Sequence, residues 1–129
     1  MKNNDLILTK TSKSSRLKSF INALNGITKA WKAESSFRIQ SYCACALFVF
    51  CIFVRPSILW CAILFCFSSL VLALEMLNTA IEALLDKIHP DQHPQIGYVK
   101  DCAAGAVLVA SVGALIAFFL FIYSKTRLV

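Results

Sequence analysis

The 129-residue chain combines 58% hydrophobic residues with only 16% charged residues, against about 25% charged in an ordinary soluble domain. A soluble fold of this size could not bury so much apolar surface, because folding hides only about two thirds of the chain surface near 150 residues. The composition therefore excludes an ordinary soluble globule and indicates lipid as the solvent. The length excludes a multidomain protein, so we expect one domain over residues 1–129, and a bundle this small favours oligomerisation.

The formal net charge of +6 comes mainly from the amino-terminal region. Eight of the 13 Lys and Arg residues precede residue 41, where only Asp5 and Glu34 oppose them. Because long apolar runs follow, this basic region favours an anionic lipid surface over nucleic acid, and we expect no nucleic-acid partner. The opening residues lack the apolar core and small-residue cleavage site of a signal peptide, so we expect no cleaved leader.

An amphipathic helix is expected after a polar start. Residues 1–15 are rich in Ser, Thr, Lys and Asn, and we expect them to form a loose tail. Over residues 16–34 apolar side chains recur at helical spacing, with Lys and Asn on the other side, which is typical of an interfacial surface helix. A soluble helix packed on a core shares this periodicity. The apolar positions are Leu17, Phe20, Ile21, Leu24, Ile27 and Trp31.

Three apolar segments predict an all-α membrane protein with three transmembrane helices and the amino-terminal surface helix. The expected spans are about 37–54, 57–77 and 102–123. The first is short unless Arg38 snorkels to the surface, and Arg55 with Pro56 breaks it from the second. Lys and Arg crowd the amino-terminal side, which predicts a cytoplasmic amino terminus and a cytoplasmic segment between the second and third spans.

Small residues in the apolar segments predict close helix packing. Five of the six cysteines lie within apolar stretches and none forms a Cys-x-x-Cys pair, so packing is favoured over a metal site or disulfides. The third span repeats small residues every four positions, a pattern that lets helices approach closely within or between subunits. These residues are Cys102, Ala106, Ala110 and Ala114.

The few polar residues near the membrane boundary are the candidate site. Glu75, Asn78, Glu82 and Asp86 are spaced by three, four and four, so they share one helix face. A carboxylate in a membrane span is costly and is a functional candidate by default, although Glu82 and Asp86 could simply be solvated. Glu34, Lys100 and Asp101 stand at the other boundaries on the same side; Asp101 could instead mark a helix start.

Several carboxylates with an amide and a lysine suit a hard divalent cation that holds phosphate oxygens. The pattern predicts phosphoryl transfer to a lipid at the membrane surface, without a Gly-rich phosphate loop of the Walker type. His89 and His93 flank a proline-containing connector. A plain loop is the favoured interpretation of this connector, a lid near the nucleotide is the second, and a zinc site is the least favoured.

The motifs Ala30 to Arg38, Glu75 to Glu82 and Lys100-Asp101 closely resemble those of the small prokaryotic diacylglycerol kinases, a family that includes undecaprenol kinases, over about residues 18–123. The resemblance implies a homotrimer in the bacterial inner membrane, with active sites shared between subunits, that uses ATP and Mg²⁺. The resemblance implies that Glu75 is the general base and that Glu34 and Glu82 are the Mg²⁺ ligands. It implies phosphate contacts from Asn78, Lys100 and Asp101, and nucleotide contacts from Asp91, Gln92 and His93. The implied lipid contacts are Ser36, Phe37 and Arg38, together with Glu75.

Two positions depart from that family's pattern. Gln40 stands where the family usually has an acidic residue, and Ser15 stands where an ATP-contacting Arg is usual, with Arg16 adjacent as the candidate replacement. The implied activity is phosphorylation of diacylglycerol to phosphatidic acid. Undecaprenol phosphorylation is the first alternative, and a non-enzymatic membrane assembly protein is a remote one.

Overall fold

Four α-helices form the described part of the protein. The computed structural model describes residues 2–89 and 93–126, with side chains from residue 15 onwards, and no β-strand occurs among them. The helices are α1 Lys2–Ala33, α2 Ser35–Val54, α3 Ile58–Ile88 and α4 Pro94–Thr126. Helix α1 is one compact unit, and helices α2 to α4 belong to a second that begins at Glu34.

Helices α2, α3 and α4 are long and apolar enough to cross a membrane. This confirms the prediction of an all-α protein with three membrane-length helices and an additional amino-terminal helix. Helix α3, with 31 residues, is about 46 Å long at 1.5 Å per residue, whereas the hydrocarbon core of a bilayer is about 30 Å thick. It therefore runs well past the expected boundary at residue 77 and carries the polar positions beyond the apolar segment.

Helix α1 begins at Lys2, well before the expected start at residue 16. The expectation of a loose tail over residues 1–15 is therefore wrong for the backbone from Lys2 onwards. No proline occurs before Pro56 to interrupt the helix. The expected apolar side chains of α1 are exposed, from 63% for Leu17 to 44% for Ile27.

The break between α2 and α3 is tight, as the sequence predicts. Arg55 adopts a left-handed conformation with φ 49° and ψ 62°, and its backbone N–H donates to the Cys51 carbonyl at 2.9 Å. This closes the last turn of α2 in the manner usual for a left-handed helix cap. Pro56 follows and prevents the helix from continuing, and Ser57 is the N-cap of α3.

The second unit is organised around the antiparallel pair α3 and α4. Phe121 is completely buried, and its ring contacts Trp60 of α3 and Phe50 of α2 at centroid distances of 5.7 and 6.2 Å. Gly113 of α4 faces Phe67 of α3 so closely that an added Cβ would lie 2.8 Å from the ring. The small residues of α4 thus allow close packing within the subunit at Gly113, whereas Cys102 and Ala106 are exposed.

Candidate functional site

The polar face of α3 changes from buried to exposed along the helix. Glu75 is only 6% exposed, Asn78 and Glu82 are half-buried, and Asp86 is exposed. All four lie on the single helix Ile58–Ile88, which confirms that one helix carries the predicted stripe. Glu75 is the buried charged residue of the described core. Burying a carboxylate is unfavourable for folding, so a functional reason for Glu75 is favoured.

Glu75 meets an amide from α2. The Nε2 atom of Gln40 donates to Oε2 of Glu75 at 3.4 Å, across 35 positions of sequence. The second amide atom, Oε1 of Gln40, is buried and has no hydrogen-bond partner among the described residues. In the sequence Gln40 differs only as a departure from a family pattern, because no local spacing reports a contact between two different helices.

Asn78 and Glu82 form the next polar pair along α3. Asn78 Nδ2 donates to Oε1 of Glu82 at 2.9 Å, the ordinary reach of side chains four residues apart on a helix. The Oδ1 atom of Asn78 is buried without a partner in the described part of the chain. The pair therefore presents oxygen atoms, including one with unused acceptor capacity, on the same face as Glu75.

Lys100 is held at the end of the α3 and α4 hairpin. Its Nζ atom forms an ion pair with Oδ1 of Asp86, and the two side chains are 33% and 66% exposed. The pair joins the last turns of α3 to the second turn of α4. Asp101 is exposed and lies inside α4, which begins at Pro94, so its interpretation as a helix start is wrong.

The remaining residues of the first motif surround the start of α2. Glu34 is half-buried at the N-cap position and makes no side-chain capping bond. Ser36 is exposed, Phe37 is 4% exposed and Arg38 is half-buried. Within the described ranges, no group of three or more His, Cys, Asp or Glu side chains gathers as a metal site.

His93 has a local structural role at the start of α4. Its Nδ1 atom accepts a hydrogen bond from the Gln95 backbone N–H at 3.2 Å, and its carbonyl accepts from Gly97 at 3.1 Å. These bonds satisfy groups that a helix start otherwise leaves unpaired. The predicted nucleotide contacts Asp91 and Gln92 lie outside the described residues.

An apolar cavity of about 690 Å³ is lined in part by Gln40, the hydrogen-bond partner of Glu75. Gln40 contributes to its lining, as does Val71, one turn before Glu75 on α3. The other lining residues come from all three helices and are mostly apolar, for example Leu47, Phe67 and Phe118. The cavity thus has hydrocarbon-like walls and extends as far as Gln40.

The fold and these contacts define a multi-pass membrane protein with a buried carboxylate among polar groups. The chain matches the family model of prokaryotic diacylglycerol kinase over residues 21–122. It therefore belongs to the prokaryotic diacylglycerol kinase family.

Named relatives in this family differ in their lipid. The chain is 39% identical over 95 residues to the undecaprenol kinase of Bacillus subtilis, covering 74% of this chain and 77% of that protein. It is 36% identical over 101 residues to a diacylglycerol kinase of Synechocystis, covering 78% of this chain and 58% of the relative. It is 30% identical over 99 residues to the diacylglycerol kinase of Escherichia coli K12, covering 77% and 81%.

Proposed function

We propose that this protein transfers the γ-phosphoryl group of ATP to the hydroxyl of diacylglycerol and produces phosphatidic acid at the cytoplasmic face of the membrane. The observation that carries the proposal is the burial of Glu75 in a helix of membrane-spanning length, in a chain of this family. A buried ionisable group in such a helix is rarely retained for stability. The apolar cavity lined in part by Gln40 is suited to the hydrocarbon part of a lipid.

Glu75 is the general base of the proposed reaction. It accepts the proton of the lipid hydroxyl while the alcohol oxygen bonds to the γ-phosphorus, and the bond from that phosphorus to the bridging oxygen breaks to release ADP. Phosphoryl transfer depends mostly on positioning and on neutralising charge, which gives neighbouring polar residues their roles. Those proposed to position the nucleotide are Asn78, Lys100 and Asp101, with Arg16, Asp91, Gln92 and His93.

A kinase that uses ATP implies a divalent cation, and the donor atoms of this site suit Mg²⁺. Glu82 supplies a carboxylate beside the buried, unpaired Oδ1 atom of Asn78, and hard cations prefer such oxygen atoms. Mg²⁺ takes one or two carboxylates and completes its shell with phosphate and water oxygens, so a dedicated three-ligand cluster is not required. We assign the carboxylates to Glu82 and Glu34; the bound cation supplies neutralisation of phosphate charge.

We propose a homotrimer with shared active sites in the bacterial inner membrane; the small size of the chain supports oligomerisation. Large apolar side chains remain exposed along α2, α3 and α4, for example Phe53, Phe65 and Val109. In a membrane such side chains face either lipid or a neighbouring subunit. We propose that a second subunit completes each site and that α1 lies on the cytoplasmic surface with its apolar face against lipid.

Undecaprenol is the second candidate substrate. The 39% identity to the undecaprenol kinase of Bacillus subtilis favours it, and the same proton and phosphoryl transfers apply to its hydroxyl. The two candidates differ beyond the reacting hydroxyl: diacylglycerol carries a glycerol backbone with two ester-linked chains, whereas undecaprenol is an isoprenoid alcohol.

A side-by-side assay of the two lipids with labelled ATP tests the proposal. The purified chain in mixed micelles should phosphorylate diacylglycerol in preference to undecaprenol; the reverse preference would select the second candidate. Glu75→Gln should remove most turnover and leave nucleotide binding nearly intact, because the amide preserves shape but cannot accept the proton. Asp86→Asn makes the same chemical change on the same helix and should retain turnover at saturating ATP. Near-normal turnover in Glu75→Gln would refute the assignment of the base.

A further inference from the structure

The hydrogen bond between Gln40 and Glu75 joins α2 to α3 through one side chain from each. Its 3.4 Å length exceeds the ordinary range of about 2.7–3.2 Å for an N–H···O bond. Hydrogen bonds of catalytic groups are often this long without substrate and shorten in the reacting complex. It is a direct contact between Gln40 and the Glu75 carboxylate.

Stability alone does not account for an amide at position 40. Its Oε1 atom is buried without a partner, and an unsatisfied buried acceptor is unfavourable. The cavity that Gln40 lines is otherwise mostly apolar, so an apolar side chain of similar length would suit that wall better. The favourable contact of the amide is the one with Glu75.

We infer that Gln40 is a positioning residue for Glu75. Its Nε2 donor holds one carboxylate oxygen, Oε2, and thereby directs the other towards the hydroxyl of the lipid. The inference rests on the proposed function, since it takes Glu75 as the general base. An amide suits this task because it donates a hydrogen bond and carries no charge of its own.

The near-isosteric variant Gln40→Met tests the role by removing the donor and retaining the length of the side chain. We expect kcat to fall about tenfold, because small errors in the orientation of a reacting group cost this much or more. KM for ATP and the thermal midpoint should stay close to wild type. The variant loses the hydrogen bond to Glu75 but also removes an unpaired buried oxygen, and these two effects on stability oppose each other. Ser41→Ala is the matched control: it deletes the hydrogen bond from Ser41 to the Phe37 carbonyl, 2.7 Å long, and should leave kcat unchanged.

A double-mutant cycle shows whether Gln40 acts through Glu75. In Glu75→Asp the carboxylate is withdrawn by one methylene, so adding Gln40→Met should lower kcat less than twofold further, as expected when two side chains act as a unit. An equal tenfold loss in both backgrounds would overturn the inference, because Gln40 would then act elsewhere. Unchanged kcat in Gln40→Met would also overturn it.

A measurement without turnover separates this inference from the proposed function. The side-chain amide ¹⁵N–¹H signals of Gln40, assigned by their loss in Gln40→Met, should shift in Glu75→Asp and not in Ser41→Ala. Unchanged amide signals in Glu75→Asp would overturn the positioning role. A wild-type chain that phosphorylates neither lipid would instead refute the proposed function.

Discussion

Replacing Asp86 by asparagine tests whether the ion pair at the end of the hairpin competes with nucleotide for Lys100. The two side chains are 66% and 33% exposed, and ion pairs exposed to this extent contribute about 0.2–1 kcal/mol. If phosphate must displace Asp86 from Lys100, removing the carboxylate should lower KM for ATP by the corresponding factor, about 1.4-fold to fivefold. Turnover at saturating ATP should not change.

The measurement is initial rate against ATP concentration at fixed lipid composition, repeated in about 1 M salt. High salt should reduce the difference between wild type and variant, because exposed charges are screened at that ionic strength. In a Lys100→Met background the Asp86→Asn change should have no effect on KM, since the competing cation is gone. A KM that rises in Asp86→Asn would refute the reasoning and indicate that the ion pair orients Lys100 for nucleotide.

Three further variants test the metal, the packing and the backbone. Glu82→Gln should raise KM for ATP about tenfold at limiting Mg²⁺ through loss of a carboxylate ligand, and unchanged nucleotide affinity would argue against that role. Gly113→Ala should lower the free energy of unfolding in micelles by about 1–3 kcal/mol, because its Cβ would lie 2.8 Å from the Phe67 ring. Recovery of stability in the double variant with Phe67→Leu would support this cause. An unchanged thermal midpoint for Gly113→Ala would contradict it. Arg55→Gly should stabilise the chain by about 1 kcal/mol, because Arg55 has φ 49°, a conformation that is strained for a residue with a Cβ. Arg55→Ala keeps a Cβ and should give no gain in stability. Equal thermal midpoints for the two variants would contradict this explanation.

The sequence predicts the helical architecture well because its dominant signals are local. Hydropathy identifies three membrane-length helices, and Arg55 with Pro56 identifies the break between the first two. The ends of the other helices are less predictable. Charged residues continue a helix as readily as apolar ones, so α3 extends to Ile88 and α4 begins at Pro94, both beyond the limits of the apolar segments.

The candidate site is predictable only where its members share one helix. The spacing of Glu75 and Asn78 follows from helical periodicity, and both lie on α3. The pairings of Gln40 with Glu75 and of Lys100 with Asp86 depend on how separate helices meet. No periodicity contains that information, and Gln40 drew attention only by differing from a family pattern.

The length of α3 has a kinetic consequence for the proposed reaction. A helix that crosses the hydrocarbon and continues about 16 Å beyond it places the polar stripe where two phases meet. The lipid arrives by lateral diffusion and never leaves the bilayer, while the nucleotide arrives from water. Rate should therefore depend on the mole fraction of lipid substrate in the membrane and on the molarity of ATP. Diluting the substrate with inert lipid slows the enzyme, whereas adding buffer at constant ATP concentration does not.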